Sequence, residues 1–320
     1  MIPTLAWLSV AVAVVAVLVP AAFLLWLDFT APNLWIEDPA SPITQSGAAK
    51  GEGSTSGGGR LIRGVLLEGP DHVPIEATIS RPSECASRLP ILVLVGGFDT
   101  GMRSVDRVPD PGLNVVIGYG YPDRNLLRAD AHLFKRLVAA QRGAHRVPGQ
   151  IAALAVWAAG QPWADRHRIV LVGVSLGAVL APAAARAMVA AGVPPIAIVL
   201  ADGGAGLTML AKSNLRRISA VWRPPAAWAI AALLRRLEPA CHLPHLQGQL
   251  LLIHGTADRF IPTKSAVLMD RLTPEPKTVV TLSGGHILPS DPTVLNALSV
   301  TVHQWLASIG AVNGSTSPSG

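Results

Sequence analysis

The chain has 320 residues, half of them apolar and 14% charged, with a formal net charge of +6. That length holds one large α/β domain plus an appendage, and the apolar excess is beyond that of an ordinary soluble domain. The basic residues are scattered and carry no nucleic-acid-binding motif, so the positive balance speaks for solubility and excludes a nucleic-acid partner.

Taken in order, the chain opens on an uncharged apolar run from Leu5 to Leu27, LAWLSVAVAVVAVLVPAAFLLWL. As a helix it would reach about 35 Å, enough to cross a bilayer core. Trp7, Trp26 and Trp35 stand near its ends, where interfacial aromatics belong. A cleaved signal peptide is the rival reading. Against it, no Lys or Arg precedes the run and no small-x-small cleavage site follows. Residues 1–30 are therefore expected to be a single-pass transmembrane anchor. Asp28, Glu37 and Asp38 follow the run directly, while Lys50 and Arg60 come later. This places the domain beyond it on the non-cytoplasmic side. Residues 31–60 include the Gly/Ser-rich stretch SGAAKGEGSTSGGGR and read as a flexible linker.

From Leu61 the sequence alternates between strands and helices. Strands are expected over 61–69, 73–82, 89–97 and 113–122. Helices follow over 124–141 and 150–160, divided by Pro148-Gly149. A central strand, Ile169–Val174, leads into a helix over 176–191. A strand over 194–202 is followed by a helix-rich stretch, 206–247, in the place of a cap or lid. It carries Trp222 and Trp228 among Arg216, Arg217, Arg223, Arg235 and Arg236. Strand 249–254, helix 263–272, strand 277–282 and helix 292–309 complete the domain, and residues 311–320 read as a disordered tail. Such alternation implies a mostly parallel sheet with right-handed crossovers and helices on both faces.

The chemistry concentrates at three loops. Gly173-Val174-Ser175-Leu176-Gly177 falls between the central strand and an alanine-rich helix. A G-x-S-x-G turn in that setting lifts the serine hydroxyl to the sheet edge, beside a helix N-terminus that favours negative charge. A serine needs a base to act as a nucleophile, and the base needs an orienting partner. His286, in Ser283-Gly284-Gly285-His286, and Asp258, in HGTADRFIP, both follow strands. Asp202, at the end of another strand, is the alternative acid. His254 reads as a structural residue under the acid loop. Cys241-His242-x-x-His245 has metal-ligand types but lacks a fourth ligand, and reads as a loop. Cys85 and Cys241 could form one bridge at most.

Over residues 61–309 the chain resembles an α/β-hydrolase. The resemblance rests on LVGGF, GVSLG, HGTADRFIP and SGGHI in that order. WADRHRIVLVGVSLGA is loosely similar to the dienelactone hydrolase and prolyl-oligopeptidase-like branches. The resemblance implies that Ser175 attacks an acyl carbon of an ester or thioester. His286 would then move the proton and Asp258 orient His286, with no metal or organic cofactor. It also implies oxyanion donors in the backbone N–H groups of Leu176 and Phe98, with Gly97 as the alternative to Phe98. Two other functions stay open: a prolyl-oligopeptidase-like peptidase, and a catalytically silent hydrolase fold that serves as a membrane-tethered binding protein.

Overall fold

The structure, a computed structural model, describes residues 55–56, 59–69, 72–84, 87–98, 100–108, 114–122 and 133–313. The expected anchor (1–30) and most of the linker lie outside these residues. Among the described residues, no helix is long and apolar enough to cross a membrane.

Nine strands form one sheet. They are β1 (Thr55–Ser56), β2 (Arg60–Glu68), β3 (Pro74–Pro82), β4 (Leu89–Val95), β5 (Val115–Tyr119), β6 (Ala164–Val174), β7 (Ala197–Ala201), β8 (Gln249–Gly255) and β9 (Lys277–Leu282), in the order β1-β2-β3-β5-β4-β6-β7-β8-β9. The pairings from β1 to β5 along this order are antiparallel; from β5 to β9 every neighbour is parallel. The parallel strands are apolar runs because both of their faces are covered. One face, with Ile91, Val93, Leu171 and Leu200, packs against helices α1 (Leu133–Ala159) and α2 (Leu176–Ala190). The opposite face, with Leu94, Val172, Val199 and Ile253, packs against the last helix, Pro292–Ser308.

Three boundaries differ from the sequence expectation. The two helices expected on either side of Pro148 are one helix, α1, with Pro148 inside it. The proline cannot donate to the carbonyl of Ala144, and alone that would break a helix. Here Val147, Ile151, Leu154 and Ala155 are fully buried on one face, and that burial outweighs the missing bond. The sheet also begins before the expected end of the linker. Thr55–Ser56 pairs with β2, and the Arg60 guanidinium donates to Ser80 Oγ at 2.9 Å and to the Asn114 carbonyl at 2.7 Å. At the other end, Ala311 and Val312 are buried against the last helix rather than part of a disordered tail. Asn313 Oδ1 accepts from Arg168 at 2.9 Å.

The stretch 206–247 folds as α3 (Leu207–Asn214), α4 (Arg223–Leu233), α5 (Pro239–His242) and short 3-10 turns. Glu238 ties its two ends together. Its carboxylate accepts from the N–H groups of Gly206 (2.8 Å), Leu207 (2.7 Å) and Ala240 (3.1 Å). Helices α6 (Thr263–Leu272) and α7 (Pro292–Ser308) complete the fold. Strand register sets the site. Val174 lies beside Ala201, Ala201 beside Ile253, and Ile253 beside Val280, so the parallel strands end level.

Candidate active site

The level strand ends bring three loops to one edge of the sheet, where open α/β folds place their sites. Ser175 directly follows β6. Its φ of 57° and ψ of −118° lie in a strained region, the cost of turning from strand to helix at one residue. The turn is feasible only because its neighbours lack side chains. A Cβ on Gly177 would stand 1.7 Å from the Val95 carbonyl oxygen, and one on Gly173 2.7 Å from the carbonyl oxygen of Gly177. Ser175 N–H donates to the Ala201 carbonyl (2.9 Å), which holds the elbow to the neighbouring strand.

Ser175 Oγ lies 2.7 Å from His286 Nε2, and His286 Nδ1 lies 2.7 Å from Asp258 Oδ2. With the proton of the neutral ring on Nδ1, facing the carboxylate, Nε2 is left as the acceptor for the hydroxyl. The other Asp258 oxygen accepts from the N–H groups of Phe260 (2.7 Å) and Ile261 (3.0 Å). Burial pushes the Asp258 carboxyl upward. The bonds from His286, Ile261 and Phe260 and the charge on His286 outweigh it, so Asp258 sits below its ordinary value and is ionised near neutrality.

Asp202, the alternative acid, has another place. It is fully buried, with Oδ1 accepting from Gly255 N–H (3.0 Å) and Oδ2 from Ile287 N–H (2.6 Å). Its nearer oxygen is 3.5 Å from His286 Nδ1, against 2.7 Å for Asp258. Asp202 thus clamps the loops that carry Asp258 and His286. Burial raises its carboxyl; the Ile287 bond opposes this and the Asp258 charge adds to it.

The serine hydrolase (FSH1) family profile matches residues 170–298, a span that contains all four of these side chains. An acetyl xylan esterase from Paenibacillus sp. R4 superimposes with a TM-score of 0.64 at 15% identity, over 88% of this chain and 94% of that one. An esterase from Pyrobaculum calidifontis gives 0.53 at 17% identity, over 76% and 85%. A Mycobacterium tuberculosis puromycin-hydrolyzing peptidase gives 0.57 at 19% identity, over 79% of this chain but 40% of its own longer chain. The chain has the α/β-hydrolase fold, and the segment that carries its site is similar to the serine hydrolase family. No curated protein matches it in sequence.

Around the relay stand residues that the motifs did not reveal. The Phe260 ring lies 4.9 Å from the His286 ring and covers it from the acid loop. Tyr121 Oη donates to the Gly96 carbonyl (2.6 Å), and Thr100 Oγ1 donates to the Gly97 carbonyl (2.9 Å). These two bonds fix the glycine pair at the end of β4. Burial pushes the Tyr121 phenol upward, so it stays protonated as a donor. Phe98 and Gly97 border the same cavity as Ser175, and Leu176 begins α2, where its N–H has no partner inside the helix.

The remaining candidates fall elsewhere. His254 Nε2 pairs with Asp270 Oδ1 at 2.7 Å, away from Ser175. His242 is buried on the Arg236 carbonyl (2.8 Å), and Cys241 is an exposed free thiol; Cys85 lies outside the described residues. Among the described residues, the one group of metal-ligand types within 4.8 Å of one another is Asp202, Asp258 and His286. Their ligand atoms are engaged by one another and by backbone N–H groups.

A cavity of about 380 Å³ opens at Ser175 and His286. It runs between the sheet, at Leu94 and Val172, and helix α7, at Leu298 and Leu306. None of its lining comes from 206–247, the stretch that stands in the place of a cap. That segment rests on the acid loop instead: Ser213 Oγ and Asn214 Nδ2 both donate to the Phe260 carbonyl at 3.0 Å, and Arg216 donates to the Arg259 carbonyl. Trp222 and Trp228 are mostly exposed.

Proposed function

We propose that the protein is a membrane-anchored serine hydrolase that cleaves a carboxylic ester or thioester through an acyl-enzyme. The observation that carries this reading is the unbroken chain from Ser175 Oγ to His286 Nε2 and from His286 Nδ1 to Asp258, both links 2.7 Å. In this reading Ser175 Oγ attacks the acyl carbon as His286 Nε2 takes its proton. The carbonyl oxygen becomes an oxyanion, held by backbone N–H groups of Leu176 and of Phe98 or Gly97. Its collapse expels the alcohol or thiol, which leaves with the proton from His286. Water, activated by the same imidazole, releases the acid. Asp258 keeps the ring in the productive tautomer and stabilises its charged form. Removing one oxyanion donor typically costs about 10²–10³ in rate.

Esterases among the structural neighbours support the ester reading. The uncharged run Leu5–Leu27 supports the anchor, with the hydrolase domain on the non-cytoplasmic side. Fluorophosphonate labelling of the full chain tests the reading. The native protein is expected to label and the Ser175→Ala variant to remain unlabelled. A native protein that stays unlabelled would instead favour the silent, membrane-tethered fold.

A further inference from the structure

The cavity beside Ser175 is deep in one direction. On α7 its lining recurs at Leu295, Leu298, Ser299, Val302, His303 and Leu306. These are neighbours on one face of a helix, and they span about 16 Å along it. The opposite wall is the sheet. Ser104 and Arg107, on the 3-10 segment Gly101–Arg107 between β4 and β5, also border the cavity. A dry cavity of about 150 Å³ holds a benzene; by that measure about 380 Å³ holds roughly a dozen or more carbon-sized atoms in a line.

The lining is mostly apolar, but two buried polar atoms on it have no partner among the described residues: Ser104 Oγ and His303 Nε2. Ser104 is beside Gly96, its Cβ 3.1 Å from where a Gly96 Cβ would stand, so it belongs to the ester end. His303 is eight residues beyond Leu295, about 12 Å farther along α7. Nε2 is already shielded from water and unpaired, and a plain hydrocarbon chain would leave it without the bond that a hydroxyl supplies. That loss is worth about tenfold in affinity or more. A hydroxyl both donates and accepts, so it pairs with Nε2 whichever ring nitrogen holds the proton.

We propose that this cavity takes the acyl chain of the substrate, laid along α7 from Ser175, and that His303 selects a chain bearing a hydroxyl remote from the ester. The inference rests on the ester-hydrolase reading above. The substrate class is a medium-chain hydroxyacyl ester, and His303 determines specificity without touching the reacting atoms.

The test uses the full chain and p-nitrophenyl esters: acetate, decanoate, and hydroxydecanoates with the hydroxyl placed from mid-chain to the end. Each readout is a ratio of kcat/KM values, so a loss of active enzyme in a variant cancels. Ser299→Phe, which fills the cavity midway, should lower the decanoate-to-acetate ratio about 100-fold. At least one hydroxydecanoate should exceed decanoate by about tenfold in the native protein, and His303→Leu should erase that preference. An unchanged decanoate-to-acetate ratio in Ser299→Phe would overturn the placement of the chain. A hydroxyl preference that is missing, or that survives His303→Leu, would overturn the role of His303. If the native protein cleaves no ester, acetate included, the ester reading itself fails and this inference falls with it.

Discussion

Two aspartates lie within reach of His286, and their surroundings separate them. Asp258 offers one oxygen to the ring and holds its own loop with the other; Asp202 spends both oxygens on backbone N–H groups. Asp258→Asn should therefore lower kcat by up to about 10⁴ while the chain still folds, because the amide no longer fixes the tautomer of His286. Asp202→Asn puts an NH₂ against a backbone N–H and should lower stability by about 1–3 kcal/mol with the smaller kinetic effect. Steady-state kinetics and thermal melts on both variants check this. The reverse ranking would make Asp202 the orienting acid. The pH dependence has a definite sign. Asp258 is held below its ordinary 3.8, so its ionised form contributes stability above that value. The contribution is lost as pH falls through the lower, folded value. The stability advantage of the native protein over Asp258→Asn should thus shrink in denaturant titrations taken progressively below pH 4.

At the scale of elements, the loops depend on ties that are long in sequence. Glu238 joins the start and end of the 206–247 stretch, and that stretch in turn holds the Phe260 carbonyl. Glu238→Ala leaves three N–H groups without their acceptor and should cost about 1–3 kcal/mol. Hydrogen exchange should then quicken in α3 and in the acid loop, while β6 and α2 keep their protection. Exchange that quickens uniformly would mean that the segment is not a separate unit. These ties explain what the sequence revealed and what it did not. Ser175, Asp258 and His286 were legible because each sits in a short motif just past an apolar strand. Tyr121 and Thr100, which hold the glycine pair, carry no such mark, since their partners are set by tertiary packing. Pro148 misled for the same reason: the rule that a proline ends a helix is local, and the burial that overrides it is not. The α/β alternation itself was plain, and strands β8 and β9 and helices α6 and α7 begin and end close to where the pattern places them, while β6 starts at Ala164, five residues before the expected Ile169.

For the molecule as a whole, the level edge of the parallel strands gathers the relay, and the face under α7 supplies the room beside it. The position of that room was not legible. A cavity is what remains between packed elements, and no motif marks the residues of α7 that line it. The domain also starts earlier than its composition suggests, because β1 and Arg60 belong to the sheet. A deletion that stops at residue 53 should keep the fold and its fluorophosphonate reactivity. One that removes residue 60 takes the Ser80 and Asn114 bonds with it, and should melt at lower temperature. The most direct measurement is intact-mass analysis of the full chain quenched during turnover of a p-nitrophenyl ester, followed by peptide mapping. A covalent acyl group on the peptide containing Ser175, absent from Ser175→Ala, is the predicted result. Ester turnover that persists in Ser175→Ala, or an acyl group mapped to another residue, would contradict the assignment of Ser175 as nucleophile.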